Sequence, residues 1–298
     1  MKSVKSLSLI LSLVLLAAAP LAAQGKRAIA FDDLISIHRV GDPQISPDGK
    51  WVTYTVATPD KAANRTVHNI WLVATTGGAP RQLTRGGRDL QARWSPDGKK
   101  LAFLSSRDGT PQVYVLSLDG GEPLKLTRLS TGADNLSWST DGKWLAFTSE
   151  VYPDCSDDAC NQKRDAEREN SKVKARIYDG LLYRHWDVWE DGKRSHLFVV
   201  AAEGGAPRDL TPGADYDVPP VQRGGAEDIA WSPDSKELCF AAVTDKVEAI
   251  STNGDLFVVP AGGGEIRRIT TNPGFDSGPT YSPDGKWIAY HSQRRGGY

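Results

Sequence analysis

The sequence predicts an all-β fold: a β-propeller built of four-stranded antiparallel blades. Three observations predict it. One short turn motif recurs five times, a second hairpin follows each of the first four copies, and most copies are evenly spaced. The propeller is predicted to be incomplete within these residues, with four full blades, the start of a fifth, and one helical and aromatic insertion.

The turn motif is Ser-Pro-Asp-Gly-Lys or a close variant of it. Its copies begin at Ser46, Ser95, Ser139, Ser232 and Ser282. Proline presets the backbone for a turn, Asp can bond the backbone nearby, and Gly supplies the left-handed conformation that closes a hairpin. After each turn, large apolar residues alternate with small ones, as in the Leu-Ala-Phe of residues 101–103. This alternation predicts a strand that packs closely on both faces.

The second hairpin consists of an apolar strand, a Gly-Gly pair and a short strand that ends in Thr. The Gly-Gly pairs lie at residues 77–78, 120–121, 204–205 and 263–264. Two hairpins give four strands in each unit. Where no insertion intervenes, successive turn copies lie 49, 44 and 50 residues apart. Four-stranded units of about 40–50 residues are typical of propeller blades, which must stack because one blade cannot bury both its faces.

The chain has nine tryptophans, and Trp51, Trp94, Trp138 and Trp231 are among those that adjoin the repeated turns. Their recurrence next to the same motif predicts a structural role. We expect them to pack in the core between blades.

Residues 1–23 have the pattern of a secretory signal peptide. Two lysines precede an apolar run at residues 7–19, and Ala23 ends a plausible cleavage segment. The run is short for a membrane span, and Gln24 follows it instead of a cysteine that could carry lipid. We therefore predict export to the periplasm or the medium of a bacterium, without a stable membrane anchor, and a propeller domain over residues 24–298. The alternative is an apolar N-terminal helix of the fold.

The charge of the chain is nearly balanced. Without the predicted signal peptide, it carries 34 basic and 37 acidic residues. A nucleic-acid partner or an anionic membrane surface would favour a basic excess. We therefore predict neither.

The insertion, about Val151 to Ser195, lengthens the third unit. Here two turn copies lie 93 residues apart, yet only one second hairpin separates them. Cys155 and Cys160 lie at its start, and in an exported protein two cysteines this close favour a local disulfide. A metal pair is the alternative, but no further ligands follow at a suitable spacing, so we predict no metal and no cofactor. Cys239 occupies a small position of its repeat, where we expect a buried free thiol.

Two segments of the insertion differ in character. Gln162 to Arg176 is dense in charge and lacks an apolar stripe, which predicts a solvated helix held by i, i+4 pairs. Tyr178 to Gly192 interleaves aromatic and charged residues, which blade packing does not explain. Such a segment either plugs one end of the propeller or lines a binding cavity.

Motifs that would carry catalysis are missing from the sequence. It has no Gly-x-Ser-x-Gly, no His-Glu-x-x-His and no phosphate-binding glycine loop before a helix. The five histidines are scattered along the chain. We therefore predict no catalytic residue here.

The turn repeats, the export signal and above all the insertion resemble the N-terminal propeller of the prolyl oligopeptidase family. The most specific match is the run from Arg184 to Gly192, followed by Ser-His-Leu-Phe at residues 195–198. The nearest branch is that of the bacterial acylaminoacyl-peptidases and dipeptidyl-peptidases, and the resemblance covers residues 27–298. It implies a second domain, an α/β-hydrolase with a Ser-Asp-His triad, that these residues do not contain. The chain is therefore expected to be a fragment that is inactive alone, with the hydrolase domain of the same polypeptide as its partner.

The resemblance implies a role in admitting and positioning short peptides for the intact serine peptidase. A peptide amino terminus needs carboxylate or carbonyl acceptors, and a substrate carboxyl or carbonyl group needs a donor such as Arg. The candidate binding residues are Arg184, Asp187 and Glu190, with Trp186 and Trp189 as apolar walls. The alternative is that these residues form ion pairs and packing contacts within the insertion.

Two other functions stay open from the sequence. One is a non-catalytic, TolB-like periplasmic propeller that binds a protein at the mouth of its channel. The other is a propeller lyase or a metal-dependent enzyme that uses channel histidines.

Overall fold

The computed structural model describes residues 27–221 and 224–297, so the predicted signal peptide lies outside the described residues. The chain divides into two units, with the boundary between Ile37 and His38. The described part of the first unit contains helix α1 (Phe31–Leu34). The Asp33 carboxylate caps this helix, accepting a hydrogen bond from the Ala30 N–H at 2.8 Å.

The second unit contains four four-stranded antiparallel sheets and a two-stranded sheet that follows them, which confirms the predicted propeller. Within each sheet the strands pair with their neighbours in chain order. Blade 1 is β1 (Arg39–Ile45), β2 (Trp51–Asp60), β3 (Arg65–Ala74) and β4 (Arg81–Gln82). Blade 2 is β5 (Asp89–Trp94), β6 (Lys100–Ser105), β7 (Gln112–Ser117) and β8 (Leu124–Lys125).

Blade 3 contains the insertion between its second and third strands. Its strands are β9 (Asp134–Trp138), β10 (Trp144–Val151), β13 (Arg194–Ala201) and β14 (Arg208–Asp209), and the insertion forms a hairpin of β11 (Arg184–His185) and β12 (Val188–Trp189). Blade 4 is β15 (Ile229–Trp231), β16 (Glu237–Ala242), β17 (Asp255–Pro260) and β18 (Arg267–Arg268). The fifth sheet is β19 (Asp276–Tyr281) with β20 (Ile288–Ser292).

The five repeated turns share one hydrogen-bond network. In blade 2, the Ser95 hydroxyl donates to Asp97 Oδ1 at 2.6 Å and accepts from the Lys100 N–H at 2.9 Å. The other four turns form the same pair of bonds. The Ser95 bond also holds the pKa of Asp97 below its usual range. Gly98 has a φ of +70°, the left-handed conformation that the turn needs.

Aromatic pairs across neighbouring strands fill the blade cores. Phe147 of β10 stacks on Phe198 of β13, with ring centroids 5.6 Å apart. The equivalent pairs in blades 2 and 4 are Phe103–Tyr114 and Phe240–Phe257. Phe147 shares a buried cluster with blade 2 residues such as Leu104 and Val115, so the core lies between blades.

Two of the four indole rings expected in the core donate hydrogen bonds to the preceding blade. Trp94 Nε1 donates to the carbonyl oxygen of Gln44 at 3.1 Å, and Trp138 Nε1 donates to the blade before it at 3.0 Å. Trp231 is buried. The prediction is wrong for Trp51, which is 42% exposed.

A buried threonine closes the outer edge of each complete blade. The hydroxyls of these threonines accept hydrogen bonds at 2.9–3.0 Å from backbone N–H groups of the third strand. The four residues are Thr84, Thr127, Thr211 and Thr270. The bonds explain why each second hairpin ends in Thr.

The insertion begins with a disulfide between Cys155 and Cys160, the pair expected from the sequence. Helix α2 (Asp158–Asn170) follows at once, because Asp157 Oδ1 accepts a hydrogen bond from the Cys160 N–H at 2.8 Å and caps it. The helix therefore begins and ends earlier than the predicted range of 162–176. Cys239 is buried and free, and burial raises the pKa of its thiol to about 12.

Replacing Cys155 and Cys160 together by serine is expected to destabilise the protein by about 2 kcal/mol. Loss of the crosslink releases a short loop in the unfolded chain, and the entropy of that loop sets the magnitude. Urea unfolding of the oxidised protein and of the double variant measures the difference. The reduced parent protein should unfold like the variant, and equal midpoints before and after reduction would contradict the prediction.

Candidate functional site

The candidate site lies at the end of blade 3 where the insertion leaves β10 and returns to β13. Glu150 lies near the end of β10, opposite Ser195 near the start of β13. The Val218 N–H donates to the Ser195 carbonyl, and the Ser195 hydroxyl donates to the Val218 carbonyl, both at 2.8 Å. These bonds bring the loop of residues 215–218 to the same place.

Arg194 lies at the centre of a group of carboxylates. Its guanidinium contacts Asp215 at 3.2 Å, Asp217 at 3.1 Å and Glu248 at 3.4 Å. Asp217 also accepts a hydrogen bond from the Ser195 N–H at 2.7 Å. Burial by itself would lower the pKa of Arg194, but the carboxylates outweigh it and raise that pKa.

Glu190 lies close enough to this group to interact electrostatically with Asp217, Arg194 and Glu248, and no side chain of the described ranges pairs with it. Together with Asp215, Asp217 and Glu248 it forms what we call the acidic cluster. Burial raises the pKa of Glu190, of Asp217 and of Glu248, and mutual repulsion adds to the shift in Glu190 and Glu248. Four carboxylates surround one guanidinium, so the cluster retains an excess of negative charge.

A cavity of about 520 Å³ opens beside the acidic cluster, and we call it the insertion cavity. Tyr178 and Leu182 contribute apolar surface to its wall. The charged part of the wall holds both signs in equal number: Asp179, Glu190, Asp191 and Asp215 with Arg168, Arg176, Lys193 and Arg194. Its volume lies within the range of about 300–1,000 Å³ common for small-ligand sites. The cavity can therefore hold a short polar ligand next to the excess negative charge.

Helix α2 holds the segment that contains Glu190 and Arg194. Asp165 of the helix contacts Lys193 at 2.9 Å, and Arg168 contacts Asp191 at 2.7 Å. The Tyr152 hydroxyl donates to Asp165 at 3.1 Å, which ties the helix to the chain just after β10. Helix α2 is thus tied both to the segment that contains Glu190 and Arg194 and to the end of β10.

Of the five residues predicted to bind substrate, Glu190 alone contributes to the insertion cavity. Trp186 and Asp187 form the tip of the β11–β12 hairpin, and the indole of Trp186 is 85% exposed. The guanidinium of Arg184 lies 5.5 Å from the ring centroid of Trp189, which also stacks on Tyr178.

Sequence reasoning missed four members of the site. Arg194 lies at the end of the predicted insertion, and Asp215 and Asp217 lie beyond it. Glu248 lies in the loop between β16 and β17 of the next blade. No motif marks Glu248, which is 54 residues from its partner Arg194.

The described ranges contain no group of three or more His, Cys, Asp or Glu side chains arranged to hold a metal ion. The helices within these ranges fall short of the length and hydropathy that a transmembrane helix needs.

Comparisons with known proteins find a propeller family and peptidases. Residues 34–170 match the family described as the TolB beta propeller domain. The chain is 31% identical over 275 residues to dipeptidyl-peptidase 5 of Porphyromonas endodontalis, covering 89% of this chain and 38% of that protein. It is 31% identical over 237 residues to the uncharacterized peptidase YuxL of Bacillus subtilis, covering 78% of this chain and 34% of that protein. The chain thus spans less than two fifths of the length of these relatives.

Among solved structures, the chain is similar to the acylaminoacyl peptidase of Pyrococcus horikoshii. The TM-score is 0.63 at 15% identity, and the match covers 88% of this chain and 36% of that one. At this identity the likeness supports the fold alone. The blades and the repeated turns are those of a β-propeller, and the sequence matches to peptidases support the N-terminal propeller of a prolyl oligopeptidase-family peptidase.

Proposed function

We propose that this chain is the substrate-positioning propeller of an exported serine peptidase that removes dipeptides from the amino termini of short peptides. Its catalytic partner in this proposal is a hydrolase domain of the same polypeptide. The observation that carries the proposal is the Glu190 carboxylate, which lies in the wall of a cavity of peptide size and next to three carboxylates that share one guanidinium. The names of the relatives supply the reaction class.

The acidic cluster suits the ammonium group of a free peptide amino terminus. Glu190 is the acceptor available for it, because among the described residues no hydrogen bond or ion pair reaches its carboxylate. Asp217 and Glu248 already contact Arg194, which holds them in place. An ammonium ion would offset the negative excess and gain charge-assisted hydrogen bonds.

The same chemistry favours dipeptidyl-peptidase over acylaminoacyl-peptidase activity. An acylated amino terminus carries no positive charge, so it would leave the acidic cluster uncompensated while displacing its water. Tyr178 and Leu182 would contact the first side chains of the peptide. Discrimination between free and acylated peptides is therefore the property to test.

Replacing Glu190 by glutamine is expected to weaken binding of a tripeptide with a free amino terminus about 10- to 100-fold, the range for a hydrogen bond to a charged group. Binding of the N-acetylated tripeptide should not change. Isothermal titration calorimetry at pH 7.5 measures both. Because the pKa of Glu190 is raised, the parent protein should also lose affinity for the free peptide as the pH falls through that pKa.

Glu203→Gln is the matched control, because this carboxylate is 86% exposed and pairs with Lys100, outside the insertion cavity. It should bind both peptides as the parent does. Equal affinity of the parent for the free and the acetylated peptide would exclude an ammonium site. In a protein that joins this chain to the proposed hydrolase domain, Glu190→Gln should lower kcat/KM for substrates with a free amino terminus, and Glu203→Gln should not.

The export part of the proposal is supported by the leader pattern of residues 1–23 and by the disulfide. Cell fractionation of the native host, with mass spectrometry of the mature amino terminus, tests it. Cytoplasmic protein that retains its first residues would contradict export.

A further inference from the structure

A second cavity, of about 550 Å³, lies along β5 and β9, the first strands of blades 2 and 3. The blades of a propeller surround a central channel, and we call this the channel cavity. Leu90 and Gln91 of β5 line it from blade 2, and Asn135 of β9 and Glu150 of β10 line it from blade 3. Arg88, just before β5, contributes the cationic part of its wall. Its volume also falls within the range of about 300–1,000 Å³ typical of small-ligand sites.

Three charged side chains line this cavity: Arg88, Asp134 and Glu150. Asp134 accepts a hydrogen bond from Gln91, whereas Arg88 and Glu150 do not pair with each other. The side chain of Arg88 is exposed, and among the described residues no carboxylate pairs with it. The Glu150 carboxylate has no hydrogen bond or ion pair either within the described ranges. Burial removes part of the hydration of the Glu150 carboxylate and raises its pKa. The negative charges of Asp191 and Asp217 raise this pKa further.

The rest of the wall combines hydrogen-bonding groups with apolar surface. The Gln91 amide donates to Asp134 at 2.5 Å, and the Asn135 amide donates to Thr148 at 3.0 Å, so both polar side chains are held in place. Leu90 is 41% exposed. Free charges of both signs, fixed amides and an exposed apolar side chain match the features of a short peptide.

We propose that the channel cavity binds short zwitterionic peptides, with Arg88 contacting the terminal carboxylate and Glu150 contacting the ammonium group. A ligand with both charges satisfies both side chains at once, whereas a simple anion or cation leaves one of them unpaired. Guanidinium groups bind carboxylates through paired hydrogen bonds, which suits Arg88 to this role.

This proposal deepens the proposed function and rests on it, because the proposed function is the reason to expect a peptide as the ligand. It uses different residues, because neither Arg88 nor Glu150 belongs to the acidic cluster. A peptide bound in the channel cavity would be a substrate on its way in or a product on its way out. The two proposals can therefore fail separately.

The test uses the dipeptide alanyl-valine, its C-terminal amide and its N-acetyl derivative, titrated into the intact protein by calorimetry. The parent should bind alanyl-valine at least about tenfold more tightly than either derivative. Arg88→Gln should reduce the affinity for alanyl-valine about tenfold and leave the affinity for the amide unchanged. Glu150→Gln should likewise reduce the affinity for alanyl-valine about tenfold and leave the affinity for the N-acetyl derivative unchanged.

Arg85→Gln is the matched control, because Arg85 is also exposed, lies three residues away and is not part of the cavity wall. It should bind all three ligands as the parent does. If Arg88→Gln binds alanyl-valine like the parent, or loses affinity for the amide to the same extent, the proposal is overturned.

The variants also distinguish the two proposals. If Glu190→Gln abolishes binding of alanyl-valine while Arg88→Gln has no effect, the channel site is excluded and the proposed function stands. If Arg88→Gln acts as expected and Glu190→Gln has no effect, the channel site stands and the ammonium site does not.

Discussion

Replacing Arg194 by methionine is expected to destabilise the protein by about 3 kcal/mol at pH 7. The substitution leaves Asp217 and Glu248 half-buried or buried without their cation. Breaking a buried ion pair by removing one partner costs about 3–5 kcal/mol, and partial exposure of Arg194 favours the lower end of this range. Urea unfolding followed by circular dichroism measures the change.

The loss of stability in Arg194→Met should be smaller at acidic pH. Burial already raises the pKa of Asp217 and Glu248, and removal of Arg194 would raise both further. A carboxylate whose pKa is raised by folding contributes stability at low pH, and this contribution is lost as the pH rises through the folded-state pKa. The variant should therefore differ less from the parent at pH 4 than at pH 7.

Arg164→Met provides the matched control. Arg164 pairs with Asp154 on the exposed side of the insertion, and surface pairs of this kind contribute at most about 1 kcal/mol. A similar loss in both variants would show that side-chain packing, and not the carboxylates, accounts for the effect. A loss that grows toward acidic pH would contradict the proposed cause.

Replacing Phe147 by alanine is expected to destabilise the protein by about 3–5 kcal/mol. The ring is fully buried, stacks on Phe198 and packs against Leu104 of the neighbouring blade. Its removal loses the burial of a large apolar group and leaves a cavity that the rigid sheets fill only in part. The urea midpoint should fall while the slope of the transition stays the same.

Trp186→Ala is the control for loss of an aromatic ring. Its side chain lies at the exposed tip of the β11–β12 hairpin, so the free energy of unfolding should change by less than about 0.5 kcal/mol. A loss below 1 kcal/mol for Phe147→Ala would mean that blades 2 and 3 do not share the core described above.

The propeller could be predicted from the sequence because its signals are local and repeated. Ser95 and Asp97 make their bonds within five residues of each other, and alternation around Ala102 follows from the two faces of a strand. The spacing of the turns then distinguishes a propeller from other folds that are built of hairpins. The disulfide was also expected on local grounds, since Cys155 and Cys160 are close in the chain.

The site was predicted only in part, because its members are close in space and distant in sequence. Glu190 was found since it lies in the unusual segment of the insertion, whereas the neighbouring Trp186 turned out to be an exposed hairpin tip. Glu248 meets Arg194 only because blade 4 stacks against blade 3.

The sequence by itself therefore determined the blades, their number and the place of the insertion. These depend on turn chemistry and side-chain alternation, which act over a few residues. Only the tertiary structure decided which charged side chains meet at the acidic cluster and which, such as Arg88 and Glu150, have no partner in the part of the chain that the structure describes. The physical reason is that electrostatic interaction depends on distance in space and on burial, and the stacking of the blades sets both.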